Sequence, residues 1–169
     1  MRANLAYYQY HGNKELSKPI QEMAQLMARI PSAKESEELM GFEGLITQSY
    51  FAAWRNIDER LDFIPRVRRP PNNPINCFIS FLNQLTYTIT RHETFKTHFE
   101  ETLSFLHSPS AGRSSLSLDL SEPFKPILSH ALILRMVRKN MLDDCWFDQK
   151  EGVCLLTETG QRNVAEHAA

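Results

Sequence analysis

The stretch Ile75–Glu93, INCFISFLNQLTYTITRHE, carries a dense apolar surface and contains neither proline nor glycine. Its apolar side chains recur at steps of three and four, which predicts an α-helix. Apolar residues on more than one side of a helix indicate burial, so we expect this segment to be the central helix of a bundle. The residues that carry the pattern are Phe78, Ile79, Phe81, Leu82, Leu85, Tyr87 and Ile89.

Two helices are predicted before the central one. The first covers residues 14–30, and the second, longer one runs from about Ala33 to Phe63. Within the second, Glu43 stands next to Phe42 in the apolar stripe, so we expect it to point near the buried side. Four prolines within residues 64–74 exclude a helix there and predict a loop.

The segments after the central helix are harder to interpret. Residues 94–107 fit no single pattern, and residues 108–115 are a polar loop. Leu116–Leu120 alternates like a strand, but we favour a helix from about Ser121 to Asn140, with a late start or a kink at Pro126. A short strand near residues 152–157 precedes a final helical stub. The sequence thus predicts an all-α fold, a single irregular helical bundle over residues 1–169 with one short strand.

Composition limits the classes of function. The hydrophobic fraction of 42% and the charged fraction of 23% are ordinary for a soluble globular domain. The three cysteines form no paired motif, and the first ten residues lack the apolar stretch of a secretory signal, so we expect reduced thiols in the cytoplasm. A net charge of −1 argues against a protein that coats nucleic acid, which leaves local basic clusters such as Arg66–Arg69 for any DNA contact.

Three residues of metal-ligand type are candidates for a catalytic site. They are Glu43 in Leu39-Met-Gly-Phe-Glu-Gly44, His107 in Ser104-Phe-Leu-His107, and Glu122 in Leu118-Asp-Leu-Ser-Glu-Pro-Phe124. Two carboxylates and one imidazole suit Mn²⁺ or Mg²⁺ better than zinc. Each residue taken alone also has an ordinary explanation: an acid at the edge of a core, a capping or core histidine, and an acid at a helix N-terminus.

Four segments in order resemble a known family. They are Glu38-Leu-Met-Gly-Phe-Glu-Gly44 with Tyr50-Phe51, Arg68-Arg-Pro-Pro-Asn-Asn-Pro-Ile-Asn76, Phe105-Leu-His107, and Leu118-Asp-Leu-Ser-Glu-Pro-Phe-Lys-Pro126. Together they are similar to the helical, catalytic C-terminal domain of the CRISPR-associated spacer-acquisition integrase (the Cas-one family). The resemblance is clear over residues 37–169 and weaker over residues 1–36.

The resemblance implies an enzyme that joins the 3′-OH ends of short DNA fragments into a repeat array by transesterification. It implies Mg²⁺ or Mn²⁺ as cofactor. The implied partners are DNA (the prespacer and the CRISPR repeat), a second copy in a homodimer or higher homo-oligomer, and the small second adaptation protein. The implied metal and catalytic residues are Glu43, His107 and Glu122, with Asp119 as a supporting carboxylate at the metal, and the implied DNA contacts are Arg66, Arg68, Arg69 and Asn76.

The chain departs from the family pattern at several positions. Asn73 stands where an Asp is usual, Leu82-Asn83 replaces a Gly-Tyr pair, Ser104 replaces a glycine, and Lys125 stands where arginine is common. The family's small N-terminal β-domain is not in the sequence. Two alternatives therefore stay open: an inactive DNA-binding or scaffold subunit of the same fold, and a helical interaction module with chance motif matches. Whether the chain is a short natural integrase or one domain of a longer protein is also open.

Overall fold

A computed structural model describes residues 1–61, 65–107 and 114–168. Within these ranges the chain forms seven α-helices and one two-stranded antiparallel sheet, which confirms the predicted fold class. The helices are α1 Arg2–Tyr10, α2 Ser17–Arg29, α3 Ser36–Ala52, α4 Pro74–Phe95, α5 Ser115–Ser121, α6 Ala131–Arg138 and α7 Glu158–Ala168; the strands are β1 Phe147–Lys150 and β2 Val153–Leu156.

The contacts divide the chain into two compact units, Met1–Ile64 and Pro65–Ala169. The boundary between the two units lies at the start of the proline-rich loop. It does not coincide with residue 37, the position from which the family resemblance is clear. The predicted extent of one catalytic domain over residues 1–169 stays a prediction.

The first unit holds α1, α2 and α3, with α2 packed against α3. Tyr50 near the end of α3 is fully buried, and its hydroxyl accepts a hydrogen bond from Asn4 Nδ2 in α1 at 3.0 Å. Its ring meets that of Trp54 edge to face at 5.6 Å. Because a buried tyrosine hydroxyl needs a partner, this bond fixes the end of α3 against α1.

The predicted helix over residues 33–63 is too long. The α-helix ends at Ala52, and short 3₁₀ turns follow at Trp54–Asn56 and Glu59–Leu61. Asp58 Oδ1 accepts the backbone N–H of Arg60 at 3.1 Å and its Nε at 2.8 Å. This bonding favours a turn over a helix at Asp58, which lies beyond the end of α3. Residues 62–64 lie outside the described part of the chain.

The second unit is organised by α4, as predicted for the central helix. Asn73 Oδ1 caps the helix by accepting the N–H of Asn76 at 2.8 Å, and Pro74 occupies the first turn, where its missing N–H costs nothing. α4 contacts α5, β2, α6 and the π-helical turn Pro126–His130. Phe78 is 1% exposed and meets the ring of Phe147 edge to face at 5.2 Å.

The segment after the polar loop differs from the prediction. An additional helix, α5, covers Ser115–Ser121, so Leu116–Leu120 is helical and not strand-like. Residues 124–138 are helical, close to the predicted helix from about Ser121 to Asn140. Ser115, Leu116 and Ser117 are buried, and α5 packs on α4. Small serines on the inner face of α5 produced the alternating pattern in the sequence. The π-helical turn that begins at Pro126 agrees with the predicted kink, and the predicted loop falls mostly on residues 108–113, outside the described residues.

The hairpin of β1 and β2 confirms the predicted strand near residues 152–157 and adds a strand that the sequence did not predict. Its turn places Glu151 and Gly152 at positive φ (50° and 78°). Cys154 N donates to Pro71 O at 2.8 Å, which ties β2 to the start of the second unit. The three cysteines are free thiols. Over the described ranges, no helix is both long and apolar enough to cross a membrane.

We expect the Gly160→Ala substitution to destabilise the second unit. A Cβ at Gly160 in α7 would lie 2.6 Å from the Trp146 carbonyl oxygen and 2.8 Å from Trp146 Cβ. Such overpacking should lower the free energy of unfolding by about 1–3 kcal/mol, measured by urea titration. Gly41→Ala is the matched control. Apart from the chain neighbours of Gly41 and the backbone of its own helix, no described atom lies within 4 Å of a Cβ added there. The Gly41→Ala substitution should therefore raise the free energy of unfolding by about 0.5–1 kcal/mol. Equal effects of the two substitutions would contradict this packing.

Candidate active site

His107 and Asp119 form a hydrogen-bonded pair within the second unit. The His107 Nδ1 lies 2.5 Å from Asp119 Oδ1. The same carboxylate accepts three backbone N–H groups, those of Phe105 and Leu106 on Oδ2 at 2.7 and 2.8 Å and that of His107 on Oδ1 at 3.3 Å. The turn at residues 105–107 is therefore closed onto α5 by one aspartate.

The electrostatics of this pair favour the ionised carboxylate. The Asp119 side chain is 7% exposed and that of His107 is 25% exposed. Burial alone would raise the pKa of Asp119, but the hydrogen bonds from His107 and from the three amides outweigh it and hold the pKa below its usual value. Asp119 therefore stays negatively charged beside the imidazole.

Glu122 lies at the C-terminal cap of α5 and directly before the helical residues 124–138, so it stands close to the helix start that the sequence predicted. Its carboxylate pairs with Lys125 Nζ, a partner that is only 15% exposed in its side chain. The spacing of three residues was the signal in the sequence that could have revealed this pair. Lys125 stands where the family usually has arginine, and here it neutralises the candidate ligand.

Glu43 lies in the middle of α3 in the first unit and is exposed, so the expectation that it points near the buried side is wrong. Buried Tyr50 lies two turns later, close to the same helical face, so the burial of α3 is confined to Tyr50 and Phe51 near its end and does not extend back to Glu43. Thr47 Oγ1, one turn later, donates a hydrogen bond to Glu43 Oε1 at 3.1 Å. Thr47 was not predicted from the sequence, although a hydroxyl four residues from an acid is recognisable by spacing.

The donor types of the candidate residues fit a hard divalent cation. Among the described residues, no three His, Cys, Asp or Glu are grouped so that they could hold a metal ion. The imidazole of His107, however, is backed by a carboxylate, which is the usual arrangement of a metal-binding histidine. Carboxylate oxygens such as those of Glu43 and Glu122 are the ligands that Mg²⁺ and Mn²⁺ prefer. The metal-ligand roles stay predictions.

The structure divides the predicted DNA contacts into an internal and an exposed group. Arg66 is half-buried, and its guanidinium donates to Asn76 Oδ1 and to Ser80 Oγ, both at 3.0 Å. Burial, with a smaller effect of the neighbouring Arg68 charge, lowers the pKa of Arg66 to about 10. Asn76 is fully buried and also bonds Asn72, so both residues hold the loop to α4. Of the predicted contacts, Arg68 and Arg69 are exposed.

Comparisons with known proteins place this arrangement in context. The family model described as CRISPR associated protein Cas1 matches residues 1–169. The CRISPR-associated endonuclease Cas1 of Fusobacterium nucleatum subsp. nucleatum is 42% identical over 142 residues, which are 83% of this chain and 42% of that protein. The chain spans about half the length, or less, of the curated relatives it matches.

Solved structures show the same fold. A Cas1 protein from Thermotoga maritima superposes with a TM-score of 0.83 at 28% identity, over 99% of this chain and 55% of that chain. A chain from a Cas6-RT-Cas1–Cas2 complex superposes with a TM-score of 0.86 at 20% identity, over 98% of this chain and 19% of that chain, and this likeness concerns the fold alone.

Proposed function

The chain belongs to the Cas1 family of CRISPR-associated proteins, and we propose that it provides the catalytic helical domain of a metal-dependent DNA integrase and endonuclease. The observation that carries the proposal is the His107–Asp119 pair, an imidazole oriented from behind by a buried carboxylate. This arrangement prepares the far ring nitrogen to bind a cation. The identity of 42% to an endonuclease of the family supports it.

The proposed reaction is transesterification on DNA. The 3′-hydroxyl loses its proton as its oxygen bonds to a phosphorus of the repeat, the bond from that phosphorus to its leaving 3′ oxygen breaks, and the leaving oxygen takes up one proton, so that no net proton is gained or lost. A bound Mg²⁺ or Mn²⁺ would polarise the phosphate and lower the pKa of the attacking hydroxyl. No serine or cysteine nucleophile is then required.

The proposal assigns separate parts to the ion-binding residues and to the exposed arginines. Glu43, His107 and Glu122 would hold the ion, and Lys125 keeps the charge of Glu122 compensated before the ion binds. Arg68 and Arg69 are exposed on a loop with three prolines at residues 65, 70 and 71. Their guanidinium groups are therefore available for bidentate hydrogen bonds to DNA phosphates.

The proposed setting follows the family. Prespacer and repeat DNA are the substrates, and a second copy of the chain and the small second adaptation protein of the CRISPR system, Cas2, are the protein partners. We place the reaction in the cytoplasm, where the repeat array lies.

A second candidate function is a DNA-binding or scaffold subunit without turnover. The pairing of Glu122 with Lys125 favours it, because the lysine already neutralises a carboxylate that the enzyme would need for its ion. The two functions share the fold and the exposed arginines, but only the first requires an ion.

A branched DNA that mimics a half-integrated product distinguishes the two. We expect the protein to cleave and rejoin this DNA in Mg²⁺ or Mn²⁺ and to lose that activity when a chelator removes the ion. Adding back excess Mg²⁺ should restore it. Binding of the branched DNA without turnover would establish the scaffold instead. A protein that does not bind the branched DNA and does not turn it over would exclude both functions.

A further inference from the structure

Asp119 is saturated by hydrogen-bond donors. An ionised carboxylate offers about four lone-pair positions, and Asp119 meets four donors, two on each oxygen. Its side chain is 7% exposed, so little room is left for solvent or an ion. A metal bound by Asp119 would have to displace at least one of these donors. This distinguishes Asp119 from Glu122 and Glu43, which have one described hydrogen-bond donor each.

We propose that Asp119 is a positioning residue that holds neutral His107 in the tautomer with its proton on Nδ1, and that it is not a metal ligand. A carboxylate can only accept, so the ring nitrogen that faces it must carry the proton. In a neutral imidazole the other nitrogen, Nε2, then bears the lone pair. Asp119 thereby determines which nitrogen is available to a cation.

The backbone contacts make this assignment rigid. The amides of Phe105 and Leu106 hold Oδ2, so the carboxylate cannot rotate to present a different oxygen to the ring. The amide of His107 and its own Nδ1 converge on Oδ1, which links the position of the backbone to the orientation of the ring. One aspartate on α5 therefore fixes the turn, the ring and the tautomer together.

Asp119→Asn tests the proposal with little change of shape. The amide has one accepting oxygen in place of two. If that oxygen remains on the Phe105 and Leu106 amides, the NH₂ group faces Nδ1 and requires it to accept, which moves the ring proton to Nε2. We expect this swap in the ring ¹⁵N chemical shifts of His107, recorded without metal at a pH above the ordinary pKa of imidazole. A second expected result rests on the proposed function: the affinity of the Asp119→Asn protein for Mn²⁺ should fall about 10- to 100-fold.

Asp143→Asn is the matched control. Asp143 also accepts a backbone N–H, that of Cys145 at 2.9 Å, but it has no described hydrogen bond to a histidine. Its substitution should leave both the His107 tautomer and the Mn²⁺ affinity unchanged.

The outcomes separate the two proposals. A wild-type protein with the His107 proton on Nε2 overturns the role of Asp119, and this measurement needs no variant to fold. An unchanged tautomer in Asp119→Asn together with a large loss of Mn²⁺ affinity also overturns it, because Asp119 would then act as a ligand. A wild-type Nδ1–H tautomer that swaps in the variant supports the positioning role even if the protein binds no Mn²⁺, in which case only the proposed function fails.

Discussion

Alanine at Glu43 or His107 should reduce turnover of branched DNA by about 10³-fold or more. Both residues are proposed to hold the ion that lowers the pKa of the attacking oxygen, and without the ion that pKa rises back toward its ordinary value. Single-turnover rates in Mg²⁺ and in Mn²⁺ measure the effect. A partial rescue by high Mn²⁺ would indicate weakened binding of the ion rather than loss of the fold.

Two exposed residues provide matched controls. Glu38 lies in the first turn of the same helix as Glu43 and accepts the Lys34 N–H at 2.9 Å, and His92 is exposed on α4. Glu38→Ala and His92→Ala should keep wild-type rates. Because Glu43 is itself exposed, Glu43→Ala should change the free energy of unfolding by less than about 0.5 kcal/mol. Wild-type rates in both active-site variants would exclude the proposed catalytic role.

The sequence predicted those parts of the fold that depend on periodicity. The central helix and the loop before it follow from apolar spacing and from proline, and both have the predicted limits to within two residues over the described part. The helix after Ala52 was overestimated because the apolar stripe continues through the 3₁₀ turns, in which Trp54 and Leu61 are still buried. Helix α5 was missed because the alternation of leucine with serine and aspartate over Leu116–Leu120 is typical of a strand.

Site residues were predicted only as separate motifs. The spacing of His107 and Asp119 is twelve residues across a loop, so no helical or strand period relates them. Their pairing depends on how the turn at residues 105–107 meets α5, which is a tertiary contact. The internal role of Asn76 was equally hidden, since an asparagine near a basic loop has the same pattern whether it faces DNA or the Arg66 guanidinium.

His130 received no role from the sequence, yet it is the most perturbed histidine in the described structure. It is 2% exposed in the π-helical turn, and burial, assisted by the nearby cations Lys125 and Arg66, lowers its pKa to about 3. In the unfolded chain a histidine has a pKa of about 6.5. Between these values the unfolded state binds a proton that the folded state does not, so stability is complete above about pH 6.5 and falls as the pH decreases.

We therefore expect the free energy of unfolding to decrease by about 1.4 kcal/mol per pH unit below about pH 6.5, or about 2 kcal/mol by pH 5. Urea titrations between about pH 7 and 4.5 measure this slope. This range lies above the pH at which Asp119, whose pKa is below its usual value, would lose its contribution to the free energy of unfolding. His130→Gln should flatten the slope whatever its effect on stability at pH 7, because a buried amide does not titrate. His92→Gln, a substitution at an exposed histidine, should leave it unchanged. An equal slope in wild type and His130→Gln would show that His130 is not the group that makes the fold sensitive to acid.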